Sequence, residues 1–151
     1  IVSETSALSQ PLANKEHLII RTSLSAVLPK VVADPRSLRQ SLLNLVSNGI
    51  KYTKAGGQVI ISTVYEETGE VVLRIRDTGI GMSELDLIKA LTPFQQINSV
   101  ATAENEGTGL GLPLTKAMVE ANRATFSIES EPDEGTLVSV HFPIQRVLAD
   151  R

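Results

Sequence analysis

The sequence has no cysteine and no tryptophan, and only two of its 151 residues are histidines. Without cysteine the chain can form no disulfide, thiolate zinc site or cysteine nucleophile. Aromatic residues make up only 3% of the chain, and the net charge is −3. Few stacking side chains and no excess of positive charge argue against a nucleic-acid-binding protein. No apolar run approaches the roughly 20 residues that span a bilayer, so we expect a cytoplasmic domain without direct membrane contact.

The order of helix and strand patterns indicates a single α/β domain. We expect strands at 17–22, 31–33, 59–65, 71–76, 125–129 and 137–142, and helices at 35–53, 83–91 and 112–121. Because these elements do not alternate throughout as strand–helix–strand units, they predict a two-layer sandwich: a mixed, mostly antiparallel sheet with helices on one face. Residues 1–14 are expected to be a helix tail that leads into the domain (15–145), and 146–151 a C-terminal tail.

The helix predicted at 35–53 begins with a clear signal and carries a polar stripe. Asp34 is a good N-cap residue, and proline is favoured just after the cap. Spacings of four, four and three then place polar side chains on one face, namely Gln40, Asn44, Asn48 and Lys51. Carboxamide oxygens suit Mg²⁺, which takes further ligands from phosphates and water, and an ammonium group suits phosphate. A solvated helix face is the alternative interpretation.

Two glycine motifs follow. Asp77-Thr78-Gly79-Ile80-Gly81-Met82 leaves a strand, so a carboxylate stands beside a backbone that has room for a flat ligand; an ordinary turn is the alternative. Residues 107–112 place three glycines before a helix, and free amides with a helix dipole favour an anion there. The same glycines could hinge a lid formed by residues 95–106. Taken alone, Glu134-Gly135-Thr136 indicates a turn and Pro93-Phe94 a packing anchor.

In order and spacing, these five motifs resemble the catalytic and ATP-binding domain of bacterial sensor histidine kinases. That domain has the Bergerat fold, which it shares with Hsp90, gyrase B and MutL. The N box would be residues 44–53, the G1 box 77–82, the F box 93–94, the G2 box 107–112 and the last glycine box 135–136. A narrower resemblance, carried by residues 113–116 and 121–124, is to PleC/DivL-type cell-cycle kinases.

The resemblance implies ATP and Mg²⁺ as cofactors and a role for each matched residue. Asp77 would accept a hydrogen bond from the adenine amino group, with Thr136 supporting it through water. Asn48 would hold Mg²⁺, and Asn44 and Lys51 would reach the phosphates as the catalytic pair. The remaining cofactor-binding residues would be Tyr52, Gly79, Ile80, Gly81 and Leu112 around the base, and Gly107, Thr108, Gly109, Leu110 and Gly111 around the phosphates.

The resemblance also implies a reaction and its partners. The domain would donate the ATP γ-phosphoryl group to a histidine on a separate dimerisation and phosphotransfer domain, with a response regulator downstream. Hydrolytic relatives place Glu where this chain has Asn44, and an amide cannot act as a general base. His17 and His141 lack the residues that follow an acceptor histidine. We therefore expect a monomeric domain that binds ATP but does not phosphorylate itself.

Two departures from the family pattern leave alternatives open. Residues 95–106 contain no Lys or Arg, and Asn122-Arg123 stands where a glycine pair is usual. Loss of one charge-assisted contact costs roughly 1.5–3 kcal/mol. The alternatives are a degenerate domain that binds ATP weakly and acts as a signalling interaction module, or a stand-alone serine kinase of the anti-sigma type.

Overall fold

The computed structural model describes residues 1–92 and 111–148 of the chain. The predicted F box at 93–94, the predicted lid at 95–106 and the first part of the G2 box, residues 107–110, lie outside the described residues.

Four helices and seven strands occur in these two ranges. The helices are α1 (Val2–Lys15), α2 (Pro35–Lys51), α3 (Glu84–Ala90) and α4 (Gly111–Ala121). The strands are β1 (Ile19–Ser23), β2 (Lys30–Val31), β3 (Gln58–Tyr65), β4 (Val71–Asp77), β5 (Thr125–Glu131), β6 (Gly135–Phe142) and β7 (Val147–Leu148). A short 3-10 turn, Ile144–Arg146, joins β6 to β7.

The predicted elements are all present, with differences at their ends. Asp34 caps α2 by accepting a hydrogen bond from the Arg36 amide at 3.2 Å, and Ser83 caps α3 through the Asp86 amide at 3.2 Å. The first predicted strand starts later than expected because His17 has a left-handed φ of 58° and ends the turn after α1. β5 and β6 each run two residues further toward their shared hairpin than the alternation of the sequence indicated.

The main sheet has five strands in the order β1-β3-β4-β6-β5. β1 pairs with β3 in parallel, whereas the other three pairs are antiparallel. β2 and β7 form a separate antiparallel pair. The sheet is thus mixed and mostly antiparallel, as predicted.

One face of this sheet carries the core. Side chains of β3 and β4 that share this face, such as Val59 and Ile75, are buried with Leu42 and Val46 of α2. The neighbouring register positions point the other way and pair Ile60 with Arg76 across the two strands. The helices α1, α2 and α4 pack over the face that carries the core. Burial therefore alternates along β3 and β5.

Helix α1 packs on α2 through small side chains. Thr5, Ser9 and Ala13 are four residues apart and are all buried, so the two helices can approach closely. Arg39 adds an exposed ion pair to Glu4 at 3.0 Å. The division of the chain at residues 14 and 145 stays a prediction. In the two described ranges, no helix is both long enough and apolar enough to cross a membrane.

The Asn122-Arg123 pair, which replaces the usual glycines, has a clear structural role. Asn122 is only 7% exposed. Its side chain accepts a hydrogen bond from the Asp34 amide at 2.7 Å and donates to Ser37 Oγ at 2.8 Å and to the Met118 carbonyl at 2.9 Å. Arg123 takes the left-handed conformation that glycine would favour, with φ of 63°. Asn122 therefore ties the end of α4 to the start of α2.

We expect Asn122→Ala to lower the free energy of unfolding by about 2 kcal/mol, because it strands a half-buried amide and a hydroxyl group. Urea unfolding measures this. Arg123→Gly is the neighbouring control. Relief of left-handed strain and the added freedom of the unfolded chain should nearly cancel there, leaving a change under about 1 kcal/mol. Equal effects of the two substitutions would contradict the role of Asn122.

Candidate nucleotide-binding site

Asp77 lies at the end of β4, opposite Thr136 of β6. Its Oδ1 atom accepts two backbone hydrogen bonds, from Gly79 N at 2.9 Å and from Thr136 N at 3.2 Å. Among residues 1–92 and 111–148, no donor reaches the second oxygen, Oδ2. The carboxylate is therefore held in place through one oxygen, while the other has no hydrogen-bond partner in these two ranges.

The environment of Asp77 acts on its charge in two opposite ways. Burial raises the pKa of the carboxyl above its ordinary value of 3.8, because the charged form loses hydration. The two backbone N–H groups favour the charged form and lower the pKa in part. The net direction is upward. The position is thus costly for an ionised residue, which is typical of functional sites rather than of structural turns.

The close backbone packing around Asp77 requires glycine in its own turn and in the facing hairpin. Gly81 has φ of 66°, and a Cβ there would overlap the carbonyl of Glu131. Gly135 has φ of 107°, and a Cβ there would overlap the carbonyl of Asp77 itself. The predicted G1 box and last glycine box are therefore in direct backbone contact, and their glycines allow the β5–β6 hairpin to approach Asp77 closely.

The structure brings the end of α2 against this turn. A Cβ built at Gly49 would lie 3.6 Å from the Cβ of Asp77 and 3.2 Å from a methyl group of Val59. The Ile80 amide donates to the carbonyl of Tyr52 at 3.1 Å. The predicted N box and G1 box, at least 24 residues apart in sequence, are thus in direct contact.

The polar stripe of α2 is partly engaged with its neighbours. Asn44 Oδ1 accepts from Gln40 Nε2 at 2.9 Å, and Asn44 Nδ2 donates to Thr115 Oγ1 at 3.3 Å. Lys51 Nζ lies 5.4 Å from the centre of the Tyr52 ring, within range of a cation–π contact. Burial lowers the pKa of Lys51 and raises the pKa of Tyr52. Asn48 is half-buried on the same helix.

Of the predicted phosphate cradle, the structure describes only the end. Gly111 is the first residue of α4, and Leu112 is partly buried against the core. Gly107, Thr108, Gly109 and Leu110 lie outside the described residues. The remaining predicted positions, Gly79, Ile80, Gly81 and Thr136, surround Asp77.

Sequence reasoning missed two hydroxyl groups at this site. Ser130 Oγ accepts from the Met82 amide at 2.8 Å and pairs with Thr136 Oγ1 at 2.8 Å, so it links the G1 turn to β6. Thr115 contacts Asn44 and is completely buried. Nothing in the strand pattern distinguishes Ser130.

Two other positions had a sequence signal. The spacing of Thr115, four residues before the buried Val119 of α4, indicates that Thr115 lies on the buried face of that helix. Gly49 had one too, because glycine inside a helix is unfavourable.

The donor set fits a magnesium ion that is shared with a nucleotide. The described parts of the chain contain no group of three His, Asp or Glu side chains that could hold a metal ion by themselves. The half-buried carboxamide of Asn48 offers a neutral oxygen on the polar face of α2. Mg²⁺ keeps few protein ligands and prefers phosphate oxygens and water, so such a sparse set is sufficient.

Residues 33–146 match the sequence model of the histidine kinase-, DNA gyrase B- and HSP90-like ATPases. This match covers well over half of the chain. The chain belongs to this ATPase family.

Curated relatives of this family domain are histidine kinases. The cell-division control histidine kinase PdhS of Brucella abortus (strain S19) is 56% identical over 157 residues, and that of Brucella ovis is 55% identical. Each match covers 99% of this chain but only 15% of the relative. The chain is therefore a histidine kinase-type ATP-binding domain that corresponds to a small part of those proteins.

Solved structures show the same fold. Full-length ShkA in complex with AMPPNP superposes with a TM-score of 0.82 at 26% identity, covering 98% of this chain and 30% of that one. The catalytic domain of the histidine kinase ThkA superposes with a TM-score of 0.78 at 23% identity, covering 94% and 90%. The mycobacterial sensor histidine kinase MprB gives 0.75 at 20% identity, covering 94% and 93%.

We expect Asp77→Asn to make this ATPase-family domain more stable at neutral pH. Its pKa is higher in the folded than in the unfolded state, so the ionised carboxylate opposes folding at neutral pH. That opposition fades as the pH falls through the folded-state pKa toward 3.8. The gain in unfolding free energy should therefore shrink on acidification.

Urea unfolding of both proteins, at neutral pH and near pH 3.8, measures the difference. Glu67→Gln, at an exposed position in the β3–β4 hairpin, is the control and should change little at either pH. A variant less stable than the parent at neutral pH would contradict the account of Asp77.

Proposed function

We propose that this domain binds Mg·ATP between α2 and the Asp77 turn and donates the γ-phosphoryl group to a histidine of another domain. The observation that carries the proposal is the Asp77 carboxylate, which lies against α2 at Gly49. Its Oδ1 atom accepts two backbone hydrogen bonds, whereas Oδ2 has no hydrogen-bond partner among residues 1–92 and 111–148. The identity to histidine kinases and the ATPase family match support it.

The roles of the base-binding residues follow from this proposal. Oδ2 of Asp77 accepts a hydrogen bond from the adenine amino group. Thr136 supports Asp77 directly through its backbone amide, and its hydroxyl pairs with Ser130. Ile80 and Tyr52 are half-buried and joined by a backbone hydrogen bond, so their side chains can flank the base. Gly79 and Gly81 keep the turn flat enough for a ring to lie against it.

The phosphate end is assigned to the α2 face and to the glycines before α4. Asn48 holds Mg²⁺, which neutralises charge on the phosphate oxygens when bound. Asn44 and Lys51 orient the phosphates, and Lys51 supplies positive charge. Amides of residues 107–111 complete the cradle in this proposal. Leu112, which is partly buried against the core, lines the base pocket in this proposal.

Phosphoryl transfer rather than hydrolysis suits the residue at position 44. Its carboxamide already has hydrogen bonds to Gln40 and Thr115, and an amide cannot take a proton from water at neutral pH. Transfer to a histidine needs mainly positioning and charge stabilisation. The acceptor must come from elsewhere, because His141 lies five residues along β6 from Thr136, and His17 lies in the turn after α1.

The proposal implies partners beyond this chain. They are the dimerisation and histidine-phosphotransfer domain of the parent protein and a response regulator that receives the phosphoryl group. We propose a cytoplasmic domain, since its nucleotide is ATP, and a monomer when isolated. We also propose that residues 15–145 form the ATP-binding unit between the segments 1–14 and 146–151.

No observation favours a degenerate domain that binds ATP weakly and acts as a signalling interaction module. The relatives that are 55–56% identical to this chain are histidine kinases. The departure that motivated it, the absence of basic residues at 95–106, lies outside the described residues.

Isothermal titration of the chain with a non-hydrolysable ATP analogue tests the proposal, with and without Mg²⁺. We expect Mg²⁺ to strengthen binding by the unsubstituted chain and to have little effect on Asn48→Ala. The control is Ser47→Ala, an exposed neighbour on the same helix, which should keep the full magnesium effect. If Asn48→Ala keeps it too, the metal assignment is wrong; if the folded chain gives no heat with any nucleotide, the proposed function is wrong.

We expect Asp77→Asn to change base preference as well as affinity. Oδ1 of the residue at 77 accepts two backbone N–H groups, so an asparagine must turn its NH₂ group toward the ligand. Two donors would then face each other at the adenine amino group, and affinity for ATP should fall at least about tenfold. Inosine triphosphate, which has a carbonyl at that position, should now bind better than ATP. Unchanged preference in competition titrations would refute the adenine assignment.

A further inference from the structure

Thr115 occupies a position between the two halves of the phosphate end that no motif assigns. It lies on α4, one turn after Gly111, and is completely buried. Its hydroxyl donates to the Gly111 carbonyl at 2.7 Å and accepts from Asn44 Nδ2 at 3.3 Å. One side chain therefore links the first turn of α4 to the polar face of α2.

The polarity of these hydrogen bonds determines how Asn44 is oriented. A threonine hydroxyl has a single proton, and the Gly111 carbonyl receives it. Toward Asn44 the hydroxyl can then act only as an acceptor, so Asn44 must turn Nδ2 toward α4. Its Oδ1 consequently faces the opposite side, where Gln40 Nε2 donates to it at 2.9 Å. In the reversed carboxamide, Asn44 Oδ1 would face the accepting hydroxyl of Thr115, and Asn44 Nδ2 would face the donating Nε2 of Gln40.

We propose that Thr115 is a positioning residue for the phosphate site: its hydroxyl sets the orientation of the Asn44 carboxamide toward the bound nucleotide. This inference rests on the proposed function, in which Asn44 orients the phosphates. After these contacts, the Asn44 carboxamide keeps one N–H and one lone pair that no described residue engages. The contacts to Thr115 and Gln40 fix the directions of both groups.

A simpler role for Thr115 must be distinguished from this one. Threonine hydroxyls inside helices commonly bond to the carbonyl four residues earlier, and that contact alone would satisfy Thr115 without any effect on Asn44. The two roles differ in one respect. Only the positioning role makes the effect of Thr115 depend on the presence of Asn44.

The test compares two substitutions at position 115 that differ in whether the hydroxyl is kept. Thr115→Val keeps the shape and removes the hydroxyl, whereas Thr115→Ser keeps the hydroxyl. We expect Thr115→Val to weaken Mg·ATP binding about fivefold, the worth of one neutral hydrogen bond, and Thr115→Ser to stay within about twofold of the unsubstituted chain. In an Asn44→Ala background, Thr115→Val should add no further loss. Adenosine, which lacks phosphates, should bind Thr115→Val and the unsubstituted chain equally.

A second readout needs no nucleotide. In ¹H–¹⁵N spectra of the chain, the two side-chain amide protons of Asn44 should shift in Thr115→Val and stay near their original positions in Thr115→Ser. Thermal unfolding shows that each variant is folded before either measurement.

The possible outcomes separate this inference from the proposed function. Equal Mg·ATP affinity of Thr115→Val and the unsubstituted chain overturns the inference alone. Losses that multiply in the Thr115→Val, Asn44→Ala double variant also overturn it, as does an Asn44 amide signal that ignores the loss of the hydroxyl. No Mg·ATP binding by the folded, unsubstituted chain overturns the proposed function and this inference with it.

Discussion

The site depends on one half-buried carboxylate at the end of a central strand. Asp77 binds two backbone N–H groups through Oδ1, and those N–H groups come from its own turn and from the neighbouring strand β6. The contact therefore joins the G1 turn to the sheet while it fixes the direction of Oδ2. Burial raises the pKa of Asp77 because the charged carboxylate is poorly hydrated at this position. In the proposed site, a hydrogen bond from the ligand would replace the missing hydration.

Around this carboxylate, the elements pack through close backbone contacts at glycines, whereas elsewhere in the core they pack through large apolar side chains. Gly81 allows the Glu131 carbonyl to approach the turn after Asp77, and Gly135 allows the Asp77 carbonyl to approach the β5–β6 hairpin. Gly49 allows α2 to lie against Asp77. Polar side chains then hold the helices at defined points. Thr115 links α4 to the middle of α2, and Asn122 links the other end of α4 to the start of α2. In the proposed site, elements held in this way are positioned before a nucleotide binds, which lowers the entropic cost of binding.

Most of the fold was predictable because its signals are local. The cap at Asp34, the alternation along β3 and β4, and the apolar stripe of α2 each specify an element without reference to the rest of the chain. The pair at 122 and 123 was harder to interpret. From the sequence it was a departure from a glycine pair, whereas in the structure Arg123 adopts the glycine-like conformation and Asn122 satisfies a helix start 88 residues away. Such a partner cannot be read from neighbouring residues.

The sequence by itself determined which chemical groups the domain has and on which elements they lie: carboxamides and an ammonium group on one helix stripe, and a carboxylate with glycines at a strand end. Periodicity and spacing are sufficient for this, because helix and strand geometry repeat every few residues. Only the tertiary structure decided which atoms remain for a ligand. Ser130 and Thr115 acquire their contacts from strand register and helix packing. The polarity of hydrogen bonds to residues distant in sequence orients Asn44 and holds Asp77 through one oxygen.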